Sequence, residues 1–339
     1  MEKIINLKIN ILSLGRFHVC DFARELDKNG KYRIVWVDIA KGIGIILVVF
    51  GHMIDLHSFP GMYIWSFHMP LFFFLSGMFM QDTLSLYLIQ RRARQLLLPC
   101  IVFAIISYAV MYFVLRRPVD LLNSQSLPGP LWFLTTLFLA DMECRLLVKY
   151  ISIRYLIGVN LLASFVFQFL DWNLPYSLLS VFIASFFYLI GSVSRHCYLL
   201  SGGGKSSIIL LLTIVSLPII IYVFNVHTAL NINSITPIGV VTALIGITQI
   251  VMISRLISKC GLLTRGLSFL GRNSLVIMVT HMIFLQLYCY YVDISSVLIF
   301  KGLQAMFVFG LSIVSIYIFQ GRWAVLIGKM TTNDKTRNG

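Results

Sequence analysis

The chain has 339 residues, of which 58% are apolar and only 12% charged, against roughly 25% charged in an average soluble domain. Twenty-seven Lys and Arg against 13 Asp and Glu give a formal charge of +14, and the mean hydropathy is +0.88. Such a composition excludes an ordinary soluble enzyme, a disordered chain, a fibre and a disulfide scaffold, and predicts an all-α, polytopic membrane protein.

In a soluble protein a charge of +14 would suggest nucleic acid. Here cytoplasmic loops rich in Lys and Arg account for it, and no nucleic-acid partner is expected. The first 33 residues are charged and mixed, with neither the apolar core nor the cleavage site of a signal peptide. They read as a cytoplasmic lead, part of it an amphipathic surface helix. Apolar runs follow at approximately 35–53, 62–80, 97–115, 131–148, 156–170, 177–193, 208–224, 237–256, 274–291 and 296–319, predicting about ten transmembrane helices in one bundle. Their unbroken apolar character excludes a β-barrel. The chain divides into a lead (1–33), a membrane domain (34–320) and a cytoplasmic tail (321–339).

The loops test this count, because a missed or invented run scrambles the alternation of basic and non-basic connections. Lys3, Lys8, Arg16, Arg24, Lys28, Lys31 and Arg33 precede run one. Runs two, four, six and eight are followed by Arg91, Arg92 and Arg94, by Arg145, Lys149 and Arg154, by Arg195 and Lys205, and by Arg255, Lys259, Arg265 and Arg272. The tail adds Arg322, Lys329, Lys335 and Arg337, whereas the opposite loops hold Arg116 and Arg117 alone. Both termini are therefore expected in the cytoplasm, with short external loops at 55–60 and 171–176 and a flexible inner loop at 201–204. Six cysteines at 20, 100, 144, 197, 260 and 289 show no paired spacing, so neither a disulfide framework nor a metal site is expected.

In hydrocarbon the informative residues are the ionisable ones, each costing about 2.5 to 3.5 kcal/mol at a helix centre. Run one carries Asp38, Lys41 and His52; run two carries His68; run nine carries His281. Asp38 and Lys41 stand i,i+3, as a structural ion pair or as functional groups. Lys41 and His52 share a helical face, about 16 Å apart along the axis. Counting from the cytoplasmic edge, His52 lies at roughly 24 Å, His68 at about 21 Å and His281 at roughly 10 Å, near the level of Lys41. Asp141 and Glu143 close run four beside Arg145 and read as an ion-paired helix end. Lys301 can snorkel to the headgroups.

Five segments, VDIAKGIGIILVVFGH (37–52), SFHMPLFFFLSGMF (66–79), RRARQLLLP (91–99), GPLWFL (129–134) and GRNSLVIMVTH (271–281), resemble the acyltransferase-3 family of integral-membrane O-acyltransferases, in particular its branch similar to fucose 4-O-acetylase. Most specific is a basic residue, ten intervening residues and a histidine, matched by Lys41 and His52; Lys stands where Arg is commoner. Arg91 and Arg94 match the family's RxxR element. The resemblance implies acetyl transfer from cytoplasmic acetyl-CoA to a hydroxyl of a carbohydrate, such as a polyprenyl-linked unit of O-antigen or capsule. It further implies His52 and Lys41 as catalytic residues, to which Asp38 on the same helical face is added, and Arg91 and Arg94 toward the donor, where the small residue Ser76 leaves space for the pantetheine arm. His68, His281 and Trp132 are candidates toward the acceptor. The chain is expected to act alone or with separate glycan-assembly partners.

The residues themselves leave alternatives open. Arg91, Arg92 and Arg94 suit CoA phosphates, yet serve equally to set topology. His52 fits a general base, or a nucleophile that is itself acylated. Trp132 also suits an aromatic belt at the external interface, and Gly77 close helix packing. The alternative reading is a multi-span transporter or flippase for a glycolipid or small solute, since intramembrane His, Lys and Asp are also how proton-coupled carriers are built, although the internal repeats and broken paired helices of many carriers are missing.

Overall fold

The computed structural model describes residues 24–26, 32–81, 83–117, 127–170, 178–200, 206–224, 235–292 and 298–329. Most of the lead, Cys20, the loops at 171–176 and 201–204 and the tail beyond 329 therefore lie outside the described residues. The end of the lead forms an antiparallel ribbon of β1 (Arg24–Leu26) and β2 (Tyr32–Ile34), with Arg24 opposite Ile34; the surface helix expected elsewhere in the lead lies outside the described residues. From β2 the chain passes directly into α1 (Val35–Gly51).

The rest is helical. The elements are α2 (Phe59–Trp65), α3 (His68–Gly77), α4 (Leu86–Ala109) with a π-turn at Val110–Val114, α5 (Trp132–Leu147), α6 (Ile153–Phe169), α7 (Ser180–Leu200), α8 (Ser206–Phe224), α9 (Pro237–Ile257), α10 (Gly261–Arg272), α11 (Ser274–Tyr291) and α12 (Leu298–Ile318). Four of them are long and apolar enough to cross a bilayer: α4 with its π-turn, α9, α11 and α12 from Lys301 onward. Among the described residues the apolar runs of the sequence fall on helices, and three departures matter for the site.

Run two is broken. Proline has no N–H and its ring collides with the carbonyl four residues earlier in a continuous helix. Pro70 thus interrupts the helix near Ser66, and Phe67 leaves helical geometry at φ −141°. At the break the Ile64 carbonyl, which also accepts the Phe67 amide at 3.4 Å, accepts a hydrogen bond from His68 Nδ1 at 2.9 Å.

Run three starts earlier than its apolar residues suggest. Ser85 caps α4 by accepting from the Leu88 amide at 3.2 Å, so Arg91, Arg92 and Arg94 are helical rather than in a loop. Arg91 and Arg94, at i and i+3, then share a face. Arg92 turns away to Asp141, whose Oδ2 is ion-paired with Arg92 Nε at 2.8 Å and whose Oδ1 accepts Arg145 Nε at 2.6 Å and also the Tyr188 hydroxyl. Arg145 Nη1 in turn donates to the Gln81 carbonyl at 2.5 Å. Asp141 is therefore the hub of a buried ion-paired network that ties α4, α5 and α7 to the end of α3, as its place beside Arg145 suggests.

The third departure is α10, an amphipathic helix where the apolar runs leave an inner loop. It packs most extensively against α1, through two glycines. A Cβ on Gly42 would stand 2.1 Å from the Leu267 carbonyl oxygen, and one on Gly271 1.8 Å from that of Asp38. A comparable contact joins α3 to α7, where Gly77 lies under the Tyr188 carbonyl, the packing role expected for it.

Candidate active site

His52 caps the C-terminus of α1. Its ring meets Trp65 edge-on at 5.3 Å and His281 at 5.5 Å between centroids, and Trp65 in turn meets His68 edge-on at 5.1 Å. Trp65 is held by donating Nε1 to the Gly51 carbonyl at 3.0 Å, one of the carbonyls left open at the end of α1. Three histidines, at the end of α1 and on α3 and α11, thus form with one tryptophan a row of rings in the order His281, His52, Trp65, His68. A carbonyl oxygen only accepts, so the contact of His281 Nδ1 with the Ile277 carbonyl at 2.9 Å requires Nδ1 to carry the proton. The same holds for His68. In the neutral imidazole each ring then keeps Nε2 as an acceptor, and that of His281 is buried without a hydrogen-bond partner among the described residues.

The shallow level expected for His281 is corrected here. That depth assumed Ser274 lay at the membrane edge. The junction of α10 and α11 instead sits against α1, where a Cβ on Gly271 would be 2.9 Å from the Gly42 amide nitrogen. From that crossing, His52 and His281 are each ten residues further on, about 15 Å of helix, and so reach the same level.

Below the histidines lies a cavity of about 890 Å³. Lys41, Ser76, Arg91 and Arg94 line it, together with Arg272, Lys329, Tyr87, Gln95 and Asn273. Its apolar end includes Phe72 and Met278, which stand four residues from His68 and three from His281, about one helical turn. The family model described as an acyltransferase domain matches residues 34–321, most of the chain and all of these elements from α1 to α12. The chain belongs to the acyltransferase-3 family. No curated protein and no solved structure matches it.

The acyltransferase has a second cavity of about 660 Å³, lined by Arg33, Asp38, Phe79 and Arg195. Lys41 and Arg272 border both spaces. Lys41 does not form the i,i+3 pair that its spacing allows: Asp38 Oδ2 stands 3.7 Å from Arg33 Nη1, and Lys41 Nζ lies over the Phe79 ring, 5.8 Å from its centroid. Ser76 lines the larger cavity while its hydroxyl donates back to the Phe72 carbonyl at 2.7 Å.

Trp132 is not a lipid-facing belt residue. It is buried, with 6% exposure, against Phe133, and it starts α5 after a turn in which Gly129, at φ +59°, abuts Met282. No described ring contact joins it to the histidines. Sequence reasoning missed Trp65, Arg272 and Lys329. Trp65 had a signal, standing i−3 to His68 on the face a helix would share. The two cations looked like topology markers, and only packing turns them toward the cavity.

Proposed function

We propose that this acyltransferase is an inner-membrane O-acetyltransferase that moves an acetyl group from cytoplasmic acetyl-CoA to a hydroxyl of a cell-surface carbohydrate or its polyprenyl-linked precursor, such as an O-antigen or capsule unit. The observation that carries it is the cavity of about 890 Å³, a size typical of small-molecule and cofactor sites, whose lining bears Arg91, Arg94 and Lys41 and whose apolar residues Phe72 and Met278 stand one turn from His68 and His281. The cations suit the phosphates of CoA, and the apolar end suits the pantetheine arm carrying the thioester. His52 takes the proton of the sugar hydroxyl as that oxygen attacks the thioester carbonyl, and CoA leaves as its thiolate. Its place at the C-terminus of α1 favours the positive charge that develops on the ring. His281 Nε2 and His68 Nε2 remain as acceptors for further hydroxyls of the sugar.

Purified protein supplied with radiolabelled acetyl-CoA and lipid-linked glycan tests this: label should pass to the glycan. A deletion strain should lack one acetyl ester in the NMR spectrum of its surface glycan. Hydrolysis or transport without labelled glycan would overturn the reading. If the group passes through histidine, acid quenching should trap label on His52.

Lys41 separates donor binding from structure. Because Asp38 is paired with Arg33, Lys41→Ala leaves no stranded acid and should fold normally by detergent gel filtration. Its KM for acetyl-CoA should rise about ten- to a hundredfold, the loss expected for a hydrogen bond to a charged group. Lys41→Arg should retain most activity. An unchanged KM in Lys41→Ala, alone and combined with Asp38→Asn, would remove Lys41 from the donor site.

Ten crossings with both termini in the cytoplasm follow from the basic loops. The broken pair α2–α3 makes one crossing, and α10 lies on the inner side between two others. Cysteine at His57 should then react with an impermeant thiol reagent in intact cells, and cysteine at Ser152 only after permeabilisation. Labelling of the Ser152 site from outside would break this topology.

A further inference from the structure

We propose that the segment after the last helix, Arg322–Lys329, forms a wall of the donor cavity and that Lys329 binds the phosphates of the acyl-CoA; this rests on the reading of that cavity as the CoA site. Three observations point to it. First, the segment is built, not frayed. Phe319 packs on Phe103 of α4 at 5.4 Å between centroids, Ile327 is buried at 3% exposure, and the residues between form a 3-10 helix, Arg322–Ile327. That helix ends in a closed cap: Gly328 takes φ +72°, its amide donates to the Val325 carbonyl at 2.9 Å, and the Lys329 amide donates to the Ala324 carbonyl at 3.0 Å. This pair of bonds around a left-handed glycine is the Schellman arrangement, which fixes the direction of the next residue.

Second, the cap is seated on the RxxR helix. A Cβ at Gly328 would lie 2.3 Å from the Arg94 carbonyl oxygen and 2.7 Å from the Gln95 Cα, so only glycine permits both the turn and the contact. Ile327, Gly328 and Lys329 consequently border the same cavity as Arg91 and Arg94.

Third, the charge there is one-sided. Among the described residues, the lining of this cavity holds five cations, Lys41, Arg91, Arg94, Arg272 and Lys329, and no carboxylate. Burial, and then the nearby Arg33 charge, hold Lys329 below the ordinary lysine range. An anion with several phosphates relieves that repulsion.

Calorimetric titration of the full-length protein in detergent with CoA tests the assignment. Lys329→Ala is expected to weaken CoA binding about tenfold, as loss of one charge-assisted contact does, and Lys329→Arg to restore it. The same variant should flatten the fall of affinity with added salt. Gly328→Ala, which displaces the cap from Arg94, and truncation after Gly321 should weaken binding at least as much while gel filtration stays monodisperse. If Arg91→Ala and Lys41→Ala weaken CoA binding but all three tail variants bind like wild type, the tail is excluded and the donor cavity stands. Undiminished binding in Arg91→Ala and Lys41→Ala would overturn the donor reading itself.

Discussion

Replacing His52 by alanine is expected to lower turnover roughly 100- to 10,000-fold, the range general-base assistance supplies, while the protein inserts and binds acetyl-CoA normally. Among the described residues the ring makes no hydrogen bond, so its removal costs only its packing against Trp65 and His281. His281 is the neighbouring imidazole. Its Nδ1 is committed to the Ile277 carbonyl, and its complete burial fixes the direction of Nε2. If the two rings act on one substrate as a unit, the double variant His52→Ala/His281→Ala should be little slower than His52→Ala alone, because effects within such a unit do not add. Stopped-assay measurement of glycan acetylation in purified variants decides. Turnover of His52→Ala within a few-fold of wild type would exclude it as the base.

Gly271→Ala should damage the molecule more broadly. The added carbon would stand 1.8 Å from the Asp38 carbonyl oxygen, 2.7 Å from its carbon and 2.9 Å from the Gly42 nitrogen. All three are backbone atoms of α1, so no side-chain rotation relieves the clash. Overpacking typically costs about 1 to 3 kcal/mol, and a backbone-to-backbone collision lies at or above the top of that range. α10 must move off α1 and carry Arg272, Asn273 and Ser274, all lining the cavity, with it. A lowered thermal transition together with lost acetyl-CoA binding is the expected result. Gly266→Ala is the control on the same helix: nothing lies within 4 Å of its added carbon. There the better helix propensity of alanine, about 1 kcal/mol, should hold or raise stability. Equal behaviour of the two variants would refute the packing assigned to Gly271.

The sequence by itself determined the all-α membrane class, the placing of the apolar runs and the face of α1 that carries Lys41 and His52, because hydropathy and the 3.6-residue period are local properties. It also placed His52 and His68 at one level, since each depth was counted along a single helix. Pro70 could have announced the break in run two, since the steric rule behind it is local as well. Only the tertiary structure decided which of the arginines at 91, 92 and 94 face the cavity, because Arg92 is claimed by Asp141, a partner 49 positions away. It likewise raised His281 to His52. That level depends on where α10 crosses α1, a contact made by glycines whose side chains carry no hydropathy signal. Lys329 joined Arg91 and Arg94 for the same kind of reason: its position is set by a capped turn resting on a helix more than two hundred residues earlier in the chain, a separation that no periodicity within one segment encodes.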